Sequence, residues 1–117
     1  MADRTVFRLN DICQAIDEID ALLEEADFAS LHKDRVKRAA FERFLEILSE
    51  ASRHIPEELK VDEPDIPWSR IADIGNHLRH AYHKVDFEIL WNTWESGELA
   101  ALHEAMQRMI EKLEASE

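Results

Sequence analysis

Residues 71–86 read IADIGNHLRHAYHKVD. Placed on a helix at about 100° per residue, Ile71, Ile74, Gly75, Leu78, Tyr82 and Val85 gather around one apolar pole. His80 points to the opposite pole, with Asn76 and His83 to one side of it and Asp73, Lys84 and His77 to the other. Arg79 stands at the flank. The segment therefore reads as an amphipathic helix whose wet face carries groups able to move protons. A glycine inside a helix costs about 1 kcal/mol relative to alanine, so something offsets it at Gly75, and close packing by a neighbouring helix is the expectation.

The same periodicity runs through the rest of the chain. Leu9, Ile12, Cys13, Ile16, Ile19, Leu22, Leu23 and Ala26 form one stripe, with Asp17, Glu18, Glu24 and Glu25 between them. A second helix starts near Ser30 or Asp34 and turns Val36, Ala40, Phe44, Ile47, Leu48, Ala51 and Ile55 inward until Pro56 stops it. EELKVDEPDIP reads as a loop, and Pro67 suits the first turn of the helix that contains residues 71–86. Asp86 caps a short helix with Phe87, Leu90, Trp91 and Trp94. ESGE breaks the chain at Gly97, and a last helix places Leu99, Leu102, Met106, Met109, Ile110 and Leu113 toward the core. The expected fold is all-α, an antiparallel bundle of four to five helices in a single domain spanning 1–117.

Bulk properties narrow the function. With 45% hydrophobic and 34% charged residues, two glycines and three prolines, the composition is that of a folded helical protein, not a disordered or all-β one. A net charge of -12 excludes a broadly basic nucleic-acid binder, so any RNA contact must be local. The best positive patch in the sequence is HKDRVKR at 32–38, although Asp34 interrupts it and a solvated helix face accounts for it. The single Cys13 reads as a buried thiol. No apolar run approaches the roughly 20 residues of a membrane span, and MADRTVFRLND is not a signal peptide, so the expected location is the cytoplasm. His77, His80 and His83 recur at three-residue spacing, but ligands from one helix need partners from another, and no metal or cofactor is assigned.

Several stretches in order resemble one family. RAAFERFLEILSEASRHI carries an Ala-x-x-Arg centre and a Glu-Ala pair; PDIPW follows as a loop; IADIGNHLRHAYHKVD matches an Ile-Ala-x-x-Arg-Asn-x-Leu-x-His-x-Tyr-x-x-Val-Asp pattern; FEILWNTW closes the run. Together they resemble the HepT-like proteins of the HEPN group, small helical ribonuclease toxins. The resemblance implies a metal-independent endoribonuclease with paired active sites at a homodimer interface. It also implies a nucleotidyltransferase-fold antitoxin as partner.

Carried across, the motif Asn is Asn76, the catalytic His is His80, and the Tyr modified by the antitoxin is Tyr82. The motif Arg position is Gly75. Arg79, next to His80, is the candidate replacement for that cation, giving His80, Asn76 and Arg79 as the expected catalytic set. The alternative is a helical interaction module that keeps the partner surface but has lost catalytic power with its arginine.

Overall fold

A computed structural model describes residues 3–80 and 87–116. Within them the chain forms seven helices: α1 Asp3–Leu23, α2 Phe28–Lys33, α3 Arg35–Ser52, α4 Glu57–Lys60, α5 Trp68–His80, α6 Phe87–Glu95 and α7 Glu98–Ala115. The four long ones stack in the order α5, α3, α1, α7, while α6 packs on α7 and α2. The fold is thus an all-α bundle.

Local chemistry sets the boundaries. Asp27 opens α2 with a reciprocal box, its Oδ1 accepting from Ser30 N–H (2.7 Å) while Ser30 Oγ accepts from Asp27 N–H (3.1 Å). Asp34 then ends α2 and starts α3, accepting from Lys37 N–H at 3.0 Å. Of the two alternative starts expected for this helix, Asp34 is the cap of α3, whereas Ser30 lies within the separate α2. Gly97 has φ of 89°, the left-handed geometry that lets the chain turn sharply into α7. The segment read as a loop after Pro56 contains the single turn α4, pinned by the buried Leu59. Asp86, expected as a cap, lies outside the described residues.

The core is built from Leu9, Ile12, Ile16, Ile19 and Leu23 of α1, Ile71 and Ile74 of α5, and Leu99, Leu102, Met106 and Met109 of α7. These faces match the sequence stripes. On α3 the match is partial: Leu48, and Ile55 just beyond the helix, are buried as expected, but Phe41 and Leu45 are buried as well, whereas Val36 is 79% exposed and Phe44, Ile47 and Ala51 are only partly covered. The central axis of burial is turned by about one residue step from the expected stripe. The reason is that α3 is flanked by both α1 and α5, and the buried residues on it include Ser49, which bonds to α5, and Ser52, polar residues that an apolar stripe omits. Phe41 meets Phe87 edge-on at 6.0 Å, and the Arg38 guanidinium lies 4.7 Å from the Phe87 ring centre.

Cys13 is half-buried, and burial first, then Asp17, pushes its thiol up to about 11, so it stays protonated at neutral pH. Between α4 and α5, Glu63 accepts from Arg108 of α7 in a two-pronged bond, Nη2 to Oε1 at 2.7 Å and Nε to Oε2 at 3.0 Å. That bond, chiefly, holds the Glu63 carboxyl below the usual range. A depressed folded-state pKa contributes stability that is full above the unfolded value and is lost as pH falls through the folded one. Arg108→Leu is therefore expected to lower the melting temperature at pH 7 and to lose that effect progressively below about pH 4. A melting-temperature gap that is constant from pH 7 to pH 3 would show that the pair does not stabilise the fold through this ionisation.

Candidate functional site

The contact between α3 and α5 explains the glycine. Ser49 Oγ donates to the Ile71 carbonyl at 2.6 Å, lies 3.1 Å from the Ala72 carbonyl, and accepts from Gly75 N–H at 2.8 Å. One hydroxyl on α3 thus reaches three backbone groups of α5. A Cβ at residue 75 would stand 2.8 Å from that Oγ, closer than packed atoms allow, and 3.3 Å from Ser49 Cβ, a tight contact. It would also stand 3.1 Å from Arg79 Nη1. The guanidinium of Arg79 accordingly lies across the bare backbone of Gly75. The expectation of close packing at Gly75 holds, with a serine as the neighbour.

This seam sets the polar residues of two helices side by side. Arg79 Nη2 donates to Asn76 Oδ1 at 2.8 Å, and Arg53 Nη1, from the end of α3, donates to the same oxygen at 3.2 Å. Glu50 Oε1 is 3.6 Å from Arg79 Nη1, and its Oε2 is 3.1 Å from His54 Nε2. His54, Glu50, Arg79, Asn76 and Arg53 form one continuous polar chain. It borders a groove of about 890 Å³, to which Arg8 and Asp11 of α1 and Arg43 of α3 also contribute. The chain as a whole carries -12, yet this groove gathers four arginines.

Of the expected catalytic set, Asn76 and Arg79 are brought into direct contact. His80 is the last residue of α5, next to Arg79, and its side chain lies outside what is described. Tyr82 also lies outside the described residues, within 81–86. His77 is exposed on α5. The positive stretch 32–38 does not face the groove: Arg38 pairs with Glu42 at 3.2 Å and stacks on Phe87, and Asp34 takes up the Lys37 amide. The sequence reading missed Glu50, Arg53 and His54, whose three- and four-residue spacing near the end of α3 looks like an ordinary wet face. Among the described residues no three His, Cys, Asp or Glu side chains are grouped to hold a metal ion. No helix among them is long and apolar enough to cross a membrane.

Seven helices without a strand among the described residues, with an arginine-rich groove at the α3–α5 seam, define an all-α bundle of the HEPN type. Residues 12–109 match the family described as Ribonuclease HepT-like, and the chain belongs to that family. It is similar to a Thermococcus cleftensis protein carrying the provisional name ribonuclease HepT, 40% identical over 85 residues, covering 73% of this chain and 77% of that one. A relative from Caldanaerobacter subterraneus, provisionally named an RNase, is 31% identical over 100 residues, or 83% of this chain and 88% of its own. A third, from Methanocaldococcus jannaschii and likewise provisionally named an RNase, is 30% identical over 83 residues, covering 71% and 76%. No solved structure gives a significant match.

Proposed function

We propose that this protein is a metal-independent endoribonuclease, the toxin of a toxin-antitoxin pair, acting on RNA in the cytoplasm as a single-domain homodimer with its cleft between the subunits. The observation that carries this reading is the guanidinium of Arg79 lying across Gly75 and bonded to Asn76. Gly75 stands where the family motif has its arginine, and a cation from one helical turn later covers the same backbone. The loss of the motif residue thus leaves a positive charge at that place, which favours a working site over a binding surface alone.

In this reading the ribose 2'-oxygen attacks the adjacent phosphorus and the bond to the 5'-oxygen breaks. His80 takes the 2'-hydroxyl proton or supplies one to the departing 5'-oxygen. Arg79 stabilises the charge gathering on the phosphate oxygens. Asn76 acts as a positioning residue, since its amide oxygen is occupied by guanidinium donors. The test is incubation of the purified protein with RNA in the presence of EDTA. Cleavage supports the reading; RNA left intact with and without added metal points to the helical interaction module; cleavage that EDTA abolishes points to a metal site.

The partner in this reading is a nucleotidyltransferase-fold antitoxin that transfers a nucleotidyl group from ATP to the Tyr82 hydroxyl, with pyrophosphate leaving. The added phosphate places negative charge beside the cleft and repels RNA. Incubation with the cognate transferase and ATP is expected to raise the intact mass by one nucleotidyl group in the wild type and not in Tyr82→Phe. A gain that survives the substitution would exclude Tyr82 as the acceptor.

A further inference from the structure

We infer that Arg53, together with Arg79, forms the seat for an RNA phosphate, with Asn76 as the pivot that holds the two guanidiniums together. The inference rests on the ribonuclease reading and adds to it a binding residue on a different helix from the motif.

Two positively charged groups from α3 and α5 share one neutral acceptor, at 3.2 Å and 2.8 Å from Asn76 Oδ1. Like charges brought onto a single uncharged atom repel each other, and Glu50, 3.6 Å from Arg79, offsets one of the two, so the arrangement is completed by an anion that takes donors from both. A guanidinium has five N–H donors in a flat fork, and Asn76 occupies one from each arginine. The remaining donors are suited to the non-bridging oxygens of a phosphodiester.

The pairing of four other arginines sets them apart from Arg53. Arg38, Arg43, Arg70 and Arg108 each meet a glutamate, at 3.2, 2.8, 3.2 and 2.7 Å. Arg79 has Glu50 at 3.6 Å, and Glu50 is shared with His54. Arg53 has no carboxylate within ion-pair distance among the described residues, and its partner is the Asn76 amide. It is therefore the arginine of this polar chain whose charge is not already spent within the protein. It sits on the groove wall with Arg8. The bare backbone at Gly75 gives the Arg79 guanidinium its place beside Asn76: a Cβ there would stand 3.1 Å from Nη1, and the side chain would have to shift by a few tenths of an ångström.

The test uses the full-length protein and a fluorescent single-stranded oligonucleotide carrying 2'-O-methyl groups, which binds but cannot be cut by 2'-oxygen attack. Its affinity is measured by anisotropy at several salt concentrations for the wild type, Arg53→Gln, Arg53→Lys and Arg35→Gln. Arg35 is exposed at the start of α3, and its replacement removes the same charge at a distance from the groove. Arg53→Gln is expected to weaken binding about tenfold and to lower the salt slope by about one contact. Arg53→Lys keeps most of the salt slope but loses part of the affinity, because an ammonium lacks the forked geometry. Arg35→Gln changes affinity less than twofold. Equal weakening by Arg53→Gln and Arg35→Gln would overturn the seat in favour of general charge, as would binding unchanged in Arg53→Gln. Cleavage of unmodified RNA, followed in parallel, separates the two ideas. An Arg53-dependent binder that leaves RNA intact keeps the seat and rejects the ribonuclease; a protein that cuts RNA with Arg53 irrelevant to binding does the reverse.

Discussion

Gly75→Arg, which restores the family motif on paper, is expected to destabilise the protein by about 4 kcal/mol or more and to lower its melting temperature by roughly 15 °C. The first cost is steric: the new Cβ falls 2.8 Å from Ser49 Oγ, so the serine must rotate or the helices must part. Rotation breaks the hydroxyl's bonds to the Ile71 carbonyl and the Gly75 amide, leaving a buried oxygen without its donor at about 1–3 kcal/mol. The second cost is a charged side chain rooted at a buried position beside the Arg79 guanidinium. Against these stands only the gain of about 1 kcal/mol from replacing glycine in a helix.

Gly75→Ala separates the causes, because it carries the clash without the charge. A net loss of about 2 kcal/mol is expected, and in a Ser49→Ala background the same change should cost at least about 1 kcal/mol less. Thermal denaturation of the four proteins in this cycle is the measurement. Additive effects, or a Gly75→Arg variant that melts with the wild type, would show that the seam is not closed by Ser49.

The same seam explains what the sequence could and could not reveal. Helices α1 and α7 present one apolar face each, so Leu9 to Leu23 and Leu99 to Met109 identify their own inward side. Helix α3 is covered from two sides, and its buried Ser49 and Ser52 carry no hydrophobic signal. Periodicity alone therefore placed Val36 inside and passed over Phe41 and Leu45. The turn α4 escaped notice because four residues are too short to show a period, and a single buried leucine holds it.

The site divides along the same line. Its α5 half, Asn76 and Arg79, lies in one contiguous motif and was legible as residue types at fixed spacing. Its α3 half, Glu50, Arg53 and His54, is separated from Asn76 by more than twenty positions and resembles any exposed helix end. Only the docking of α3 on α5, governed by a glycine and a serine, brings the halves together. Gly75, which in the sequence looks like a missing catalytic residue, is in the structure the residue that admits the close approach of Ser49, with the Arg79 guanidinium beside it.

The chemistry assigned to His80 gives the sharpest expectation for activity. His80→Ala is expected to lower kcat for RNA cleavage by roughly 10²–10⁴-fold, the usual contribution of one positioned acid or base. The loss should fall on kcat, because a proton-transfer group acts in the transition state and contributes little to holding the substrate. Binding of the 2'-O-methyl oligonucleotide should therefore stay within about twofold of the wild type. Loss of the Arg79 cation should weaken the same binding as well as slow the reaction, since a phosphate contact exists in both the bound substrate and the transition state. The two residues are neighbours in the chain, at the end of one helix, so a general disturbance of α5 would affect both readouts in both variants. A His80→Ala protein that loses binding and cleavage together would indicate such a disturbance, and one that cleaves at the wild-type rate would remove His80 from the reaction. A fall in kcat with binding retained, beside an Arg79→Ala protein impaired in both, would separate the proton-transfer group from the phosphate-holding group.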